Sequence, residues 1–346
     1  MIQLESRLFD ALDTLDGLHT ALQQAIMLEH ATIPAYLYAL YSLQPDTNAR
    51  IENLIFSVVR EEMLHMSLAC NILNAIGGAP SIDDPAFIPH YPGPLPGAVE
   101  KGLIVPLKPC TLDVVHDVFM QIEEPEKPLE FPVGLAAAAA PPRTIGQFYK
   151  AIERQIVAFG QGIFTGDPAR QLTHGFAPDE LIAVTDVASA VRAITIIVEQ
   201  GEGTSDSPLD LEHELAHYYR FAEIWHGKAL IPNPQAPPDA PNDQKYIYGG
   251  PAIPFDPHGV WPAIANPKAA MYPAGSKARY ACDTFNYTYT ALLKTLHLTF
   301  NGQPYRLSAA IGLMESLKAQ AMDLMAIDLG NGTHAGPSFE YQPINP

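Results

Sequence analysis

The chain has 346 residues, 47% hydrophobic and 17% charged, with 20 Lys+Arg against 38 Asp+Glu and a formal net charge of −18. The apolar fraction suffices for a sizeable core and excludes a disordered chain, and an acidic chain without a Lys/Arg cluster is unsuited to a phosphate backbone. Cys70, Cys110 and Cys282 are widely spaced and odd in number, which excludes a disulfide framework and a zinc knuckle and points to a reducing, cytoplasmic setting.

The N-terminal residues show no basic stretch followed by an apolar one, and no run approaches the roughly 18 apolar residues needed to cross a bilayer, so no membrane partner is expected. Of 33 prolines, 13 lie between Pro80 and Pro142 and 11 between Pro232 and Pro273. Proline lacks an N–H and clashes with the preceding turn, so helices are expected outside both blocks. In chain order, apolar residues recur with a period near 3.5 over residues 16–43, 48–76, 143–163 and 179–226, the last broken near 201–208. Two further segments, 275–301 and 304–329, form a predicted helical hairpin with Asn301-Gly302 as its turn and Pro304 opening the second helix. Strand signals are limited to 103–107 and the vicinity of Tyr246, and Ala136–Ala140 reads as part of a connection. The expected class is mainly α: a bundle over 1–230 with a Pro-rich insertion at 80–142, then a Pro-rich wrap and hairpin over 231–346.

Polar residues interrupt two of the apolar stripes. Ile51, Ile55, Val58, Glu62, His65, Ala69, Ile72 and Ile76 follow alternating steps of four and three, the inward seam of a packed helix, and Leu18, Leu22, Ile26, Glu29, Ile33 and Leu40 trace a similar face. Burying a carboxylate costs several kcal/mol unless a partner compensates, so inward Glu29 and Glu62 call for one. Glu62 and His65, at i and i+3, project from one face and can reach one ion or two adjacent ions. A dinuclear carboxylate site in a four-helix bundle takes a Glu from each of two helices and a Glu plus a His from each of the others. Glu29, Glu62, His65 and Glu153 fit that order. The fourth helix leaves alternatives: Glu199 meeting His217 across the break, or Glu214 pairing with His217, while Glu202 stands where a His is expected and His213 offers a lesser HxxxH pairing. His30 is turned away from the seam, and Tyr36, Tyr38, Tyr41, Tyr218 and Tyr219 are candidate hydrogen-bond donors to ligands.

The strings AIMLEHATIPAYLYALYSL, VVREEMLHMSLACNILNAIGGAP, TIGQFYKAIE, IVEQGEG and ELAHYYRF, spread over the first 226 residues, resemble the ferritin-like family that includes the iminophenyl-pyruvate dimer synthases of violacein and rebeccamycin biosynthesis. The resemblance implies a ferritin-like four-helix bundle with a metal site, to which the proline positions and periodicity add long Pro-rich insertions and a C-terminal hairpin. It favours Glu29, Glu62, His65, Glu153, Glu199 and His217 as metal ligands, ahead of Glu202 and Glu214. It further implies two transition-metal ions, iron before manganese, and a metal-dependent oxidoreductase using dioxygen or peroxide on a small, amino-acid-derived imine or related metabolite. A non-catalytic metal-storage protein is the alternative. The expected partner is a small molecule, with a homo-oligomer allowed by the bundle.

Overall fold

A computed structural model of the chain describes residues 12–96, 103–125, 144–204 and 206–343. Helix α1 (Leu15–Tyr41) starts where the Thr14 side chain accepts from the Gly17 N–H, and it continues through Pro34. Helix α2 (Ala49–Ala75) follows Asn48, whose φ of 49° turns the chain back alongside α1. Every residue of the predicted α2 seam, from Ile51 to Ile76, is buried, Glu62 and His65 included.

The expectation that the proline blocks hold no helix fails at residues 112–122. No proline falls between Pro109 and Pro125, and there α3 (Leu112–Val114), a π turn (Val115–Phe119) and α4 (Met120–Ile122) form one continuous rod. Thr111 starts it by accepting from the Val114 N–H; Val115, Val118 and Phe119 bury its inner side. The π turn widens the helix by one residue, a deviation that clusters at functional sites, and the chain leaves α4 at buried Glu123. Ala136–Ala140 lies outside the described residues.

Helix α5 (Ile145–Phe159) is capped by Thr144, whose side chain accepts from the Gln147 N–H. Helix α6 (Val187–Glu202) begins later than the period at 179 suggested, because Asp186 and Ser189 close a capping box that fixes the start. It ends at Gly203, whose φ of 74° suits a residue without a Cβ. Residues 203–204 and 206–216, which include Pro208, are not helical, and α7 (His217–His226) resumes beyond them. The break is thus longer than expected, and His217 becomes the first residue of a new helix.

Packing closes a ring: α1 lies along α2, α2 meets α6, α6 packs on α5, and α5 returns to α1. Helix α7 packs against the π turn and against α2 and α6. Strands β1 (Lys228–Pro232) and β2 (Tyr246–Ala252) form a small antiparallel sheet after α7, whereas the predicted 103–107 strand is reduced to a single bridge between Gly93 and Val105. Helices α8 (Lys277–Phe300) and α9 (Leu307–Met325) form the predicted hairpin, turning at Asn301 and Gly302, and pack on α1 and α2. All three cysteines are free and buried. No described helix is long and apolar enough to cross a membrane.

Candidate metal centre

The bundle axis is polar where α1, α2 and α7 meet the end of α4. Glu29, Glu62, His65, Glu123 and His217 are all at least nine-tenths buried. His217 Nδ1 lies 3.0 Å from Glu62 Oε1 and 3.4 Å from Glu123 Oε2; His65 Nδ1 lies 3.5 Å from Glu29 Oε2 and 3.9 Å from Glu62 Oε1. The two imidazoles stack with centroids 5.3 Å apart. Two triads therefore overlap, Glu29–Glu62–His65 and Glu62–Glu123–His217, with Glu62 common to both. One donor atom from each of Glu62, His65 and His217 lies within 4.8 Å of the others.

Each ring uses its other nitrogen elsewhere. His65 Nε2 meets Gln200 Oε1 at 3.0 Å, and His217 Nε2 meets Glu61 Oε2 at 3.0 Å. Both partners are acceptors, so Nε2 carries the proton in each ring and Nδ1 presents a lone pair to the cluster whenever the ring is neutral. His217 Nδ1 has no partner with hydrogen-bond geometry, although carboxylates surround it. A buried nitrogen aimed at acceptors without such a bond is the donor pattern a metal ion satisfies.

The carboxylates are held from behind. Tyr149 donates to Glu29 Oε1 at 2.6 Å, Thr32 to Glu62 Oε2 at 2.8 Å, and Tyr36 to Glu123 Oε1. Burial, with Glu123 and Glu29 nearby, pushes Glu62 up to about 7. Burial acts to lower His217, but the Glu123, Glu61 and Glu62 carboxylates outweigh it and hold the ring well above the usual histidine value; His65 is raised against its own burial by Glu29 and Glu62. Tyr149→Phe is expected to cost about 1–3 kcal/mol, since it strips a hydrogen bond from a buried carboxylate; an unchanged urea midpoint would show that the Tyr149–Glu29 contact carries no such weight.

A cavity of about 30 Å³ is lined by Glu29, Glu62, His65 and Glu123 of this group, and also by Gly146, Tyr149, Gly201 and Glu202; His217 stands behind Glu62 and Glu123 rather than on its wall. That space suits ions or a diatomic molecule and is too small for an organic substrate. Glu202 stands at its edge, pushed up to about 7 by burial, with Oε1 accepting from the Gly146 N–H at 2.7 Å. A Cβ on Gly146 would lie 2.5 Å from Glu202 Oε2, so the start of α5 cradles this carboxylate only with glycine there.

Other residues named from sequence lie elsewhere. Glu153 is half-buried one turn beyond Tyr149 and does not line the cavity; Tyr149 is the α5 side chain that reaches in. Glu199 lines a separate depression with Glu180, Arg192 and Asp210. Glu214 is exposed, with Oε2 3.4 Å from Arg220 Nη2, and His213 is exposed at a φ of 63°. Sequence reading did not single out Glu123, Glu61 or Gln200. Glu123 sits inside a block read as non-helical, and its one available signal was the Pro-free run from 110 to 124.

Four helices around an inward cluster of carboxylates and imidazoles define the carboxylate bundle proteins as a class. The ferritin-like family model matches residues 22–226, more than half of the chain, and the chain belongs to that family. It is 25% identical to dichlorochromopyrrolate synthase of Lentzea aerocolonigenes over 95% of its own length, but spans only 36% of that protein. A crystal structure of a ferritin-like protein from Caulobacter vibrioides superimposes with a TM-score of 0.62 at 24% identity, covering 95% of this chain and 99% of that one, which supports the fold.

Proposed function

We propose that the chain holds a dinuclear transition-metal centre, iron before manganese, on Glu29, Glu62, His65, Glu123 and His217, with Glu202 at its edge, and that it oxidises a small organic molecule. The observation that carries the reading is the pair of imidazoles, each tied through Nε2 and each presenting Nδ1 to the carboxylate they share, Glu62. Mixed oxygen and nitrogen donors suit iron and manganese better than soft-metal chemistry. Bound there, the metal pair would relay electrons from the organic molecule to dioxygen or peroxide. The chain's own residues hold the carboxylates in place, keep Nε2–H of both rings engaged, and restrict the cavity itself to ions and diatomic molecules. Similarity to dichlorochromopyrrolate synthase supports an enzyme of secondary metabolism, acting on an amino-acid-derived imine or a related compound, over a storage protein.

Elemental analysis of protein purified without chelator tests the reading. About two iron or manganese ions per chain are expected, and fewer than about one would sink it. Anaerobic Fe(II) loading followed by air, with oxygen uptake and an optical scan, then separates oxygen chemistry from inert binding.

Metal uptake should also fall as pH is lowered. Glu62 binds a proton near pH 7, and both histidines hold theirs above the ordinary histidine range, so protons compete with metal across neutrality. Each competing proton weakens apparent affinity by about tenfold per pH unit below its own pKa. Equilibrium dialysis against Mn(II) at pH 8, 7 and 6 is expected to show decreasing occupancy; uptake independent of pH over that range would contradict the ligand set.

A further inference from the structure

Helices α1 and α2 serve two sites on opposite sides. Glu29 and Glu62 face the carboxylate cluster, while their sequence neighbours His30 and Met63 line a second cavity, covered by the α8–α9 hairpin. Its volume is about 350 Å³, within the roughly 300–1,000 Å³ range of small-molecule sites. Each of the four helices contributes a row of lining residues: 30–41, 56–67, 289–300 and 307–318. Three turns rise roughly 16 Å, so the space is an elongated slot. An apolar space of that length admits a single extended aliphatic chain. The methionines of its wall, Met63, Met66 and Met314, are unbranched and adapt to such a chain.

Two features separate the slot from a packing defect. His30 is buried on its wall with Nε2 2.9 Å from the Tyr289 hydroxyl, yet Nδ1 has no hydrogen-bond partner, which is rare in a packed interior. The second feature is charge at the lip. Arg60 is exposed there and makes no ion pair among the described residues, in a chain of net charge −18. Lys318 is also on the lining, 3.3 Å from Glu52 and over the Phe56 ring, and Glu315 is the one acid there. Phe56 and Ile311 carry the apolar wall out to solvent, at 45% and 37% exposure.

We propose that this slot binds one aliphatic carboxylic acid of about a dozen carbons, the length that roughly 16 Å admits, with its chain between α1–α2 and α8–α9 and its carboxylate at Arg60. The site is independent of the metal reading, since α1 and α2 lie between the two.

Calorimetric titration of the full chain, as purified, with sodium dodecanoate below its micellar concentration tests the proposal. Saturable binding of a single dodecanoate per chain is expected. Arg60→Gln should weaken it by about tenfold through loss of one charge-assisted hydrogen bond, and dodecyltrimethylammonium should bind the wild type at least about tenfold more weakly than dodecanoate, by the same charge argument. Leu296→Trp should abolish binding by filling the slot, with transition-metal content unchanged. If that variant does not fold, Ile311→Trp at the exposed mouth should weaken dodecanoate several-fold. Absence of saturation, indifference to Arg60→Gln, or equal binding of the cationic detergent would overturn the proposal. So would an affinity that falls as protein concentration rises, because a second copy of the chain would then be the occupant.

Discussion

If the proposed centre is right, Glu62→Ala is expected to reduce transition-metal content to about a tenth of wild type or less, the scale set by removing the carboxylate that faces both imidazoles. Glu62 Oε1 stands 3.0 Å from His217 Nδ1 and 3.9 Å from His65 Nδ1, whereas Glu29 pairs with His65 alone and Glu123 with His217 alone among the described residues. Glu123→Ala should also lose metal, since its Oε2 is the second carboxylate oxygen within 3.4 Å of His217 Nδ1. Glu153→Ala and Glu199→Ala should retain the wild-type content, because neither side chain lines the cavity or pairs with His65 or His217. Metal analysis of the four variants, with far-UV circular dichroism to confirm that each is folded, decides the matter. Wild-type metal in Glu62→Ala would refute the centre, and loss in Glu153→Ala would move it toward α5.

Arg220→Met should be the most destabilising single change near the site. Arg220 is 4% exposed; Nη1 donates to Glu61 Oε1 at 2.7 Å and to Ser57 Oγ at 2.9 Å, and Nε donates to the Leu215 carbonyl. Burial pushes Glu61 up, but bonds from His217 and Arg220 outweigh it and bring the carboxyl down to about 2, so Glu61 is ionised at neutral pH. Methionine fills similar space and leaves that largely buried charge without its cation, a change worth about 3–5 kcal/mol. Because Glu61 in turn holds His217 Nε2, metal affinity should fall by about 10–100-fold as well. Urea unfolding and metal titration of the same preparation measure both. A loss under about 1 kcal/mol, the range of an exposed ion pair, would show that the network is not the buried one described. Arg220→Lys keeps the charge without the planar fork and should recover only part of each effect.

Sequence periodicity made the bundle legible because an inward helical face is a one-dimensional property: Ile51 to Ile76 recur at helical spacing, and every one is buried. Glu29, Glu62 and His65 were legible for the same reason, as polar residues inside apolar stripes of single long helices. The helical hairpin was announced by Asn301-Gly302 and Pro304 in the same local way.

Locality also marks where that reading stopped. Spacing placed Glu153 on the same α5 face as Tyr149, but the roll of α5 against α1 brings the Tyr149 hydroxyl to Glu29 and leaves Glu153 half-buried outside the cavity. Glu199 and Glu202 lie one turn apart, and only the approach of Gly146 selects Glu202 for the cavity side. Glu123 enters from a short rod in a proline-rich stretch, 87 residues from the Tyr36 that donates to it.

Sequence alone therefore determined that this protein is a helical bundle with acids and imidazoles on inward faces, since each such face depends on a repeat within one segment. Only the tertiary structure decided which carboxylates share the cluster, because that depends on how each helix is rotated about its axis. That rotation is set by side chains contributed by other segments.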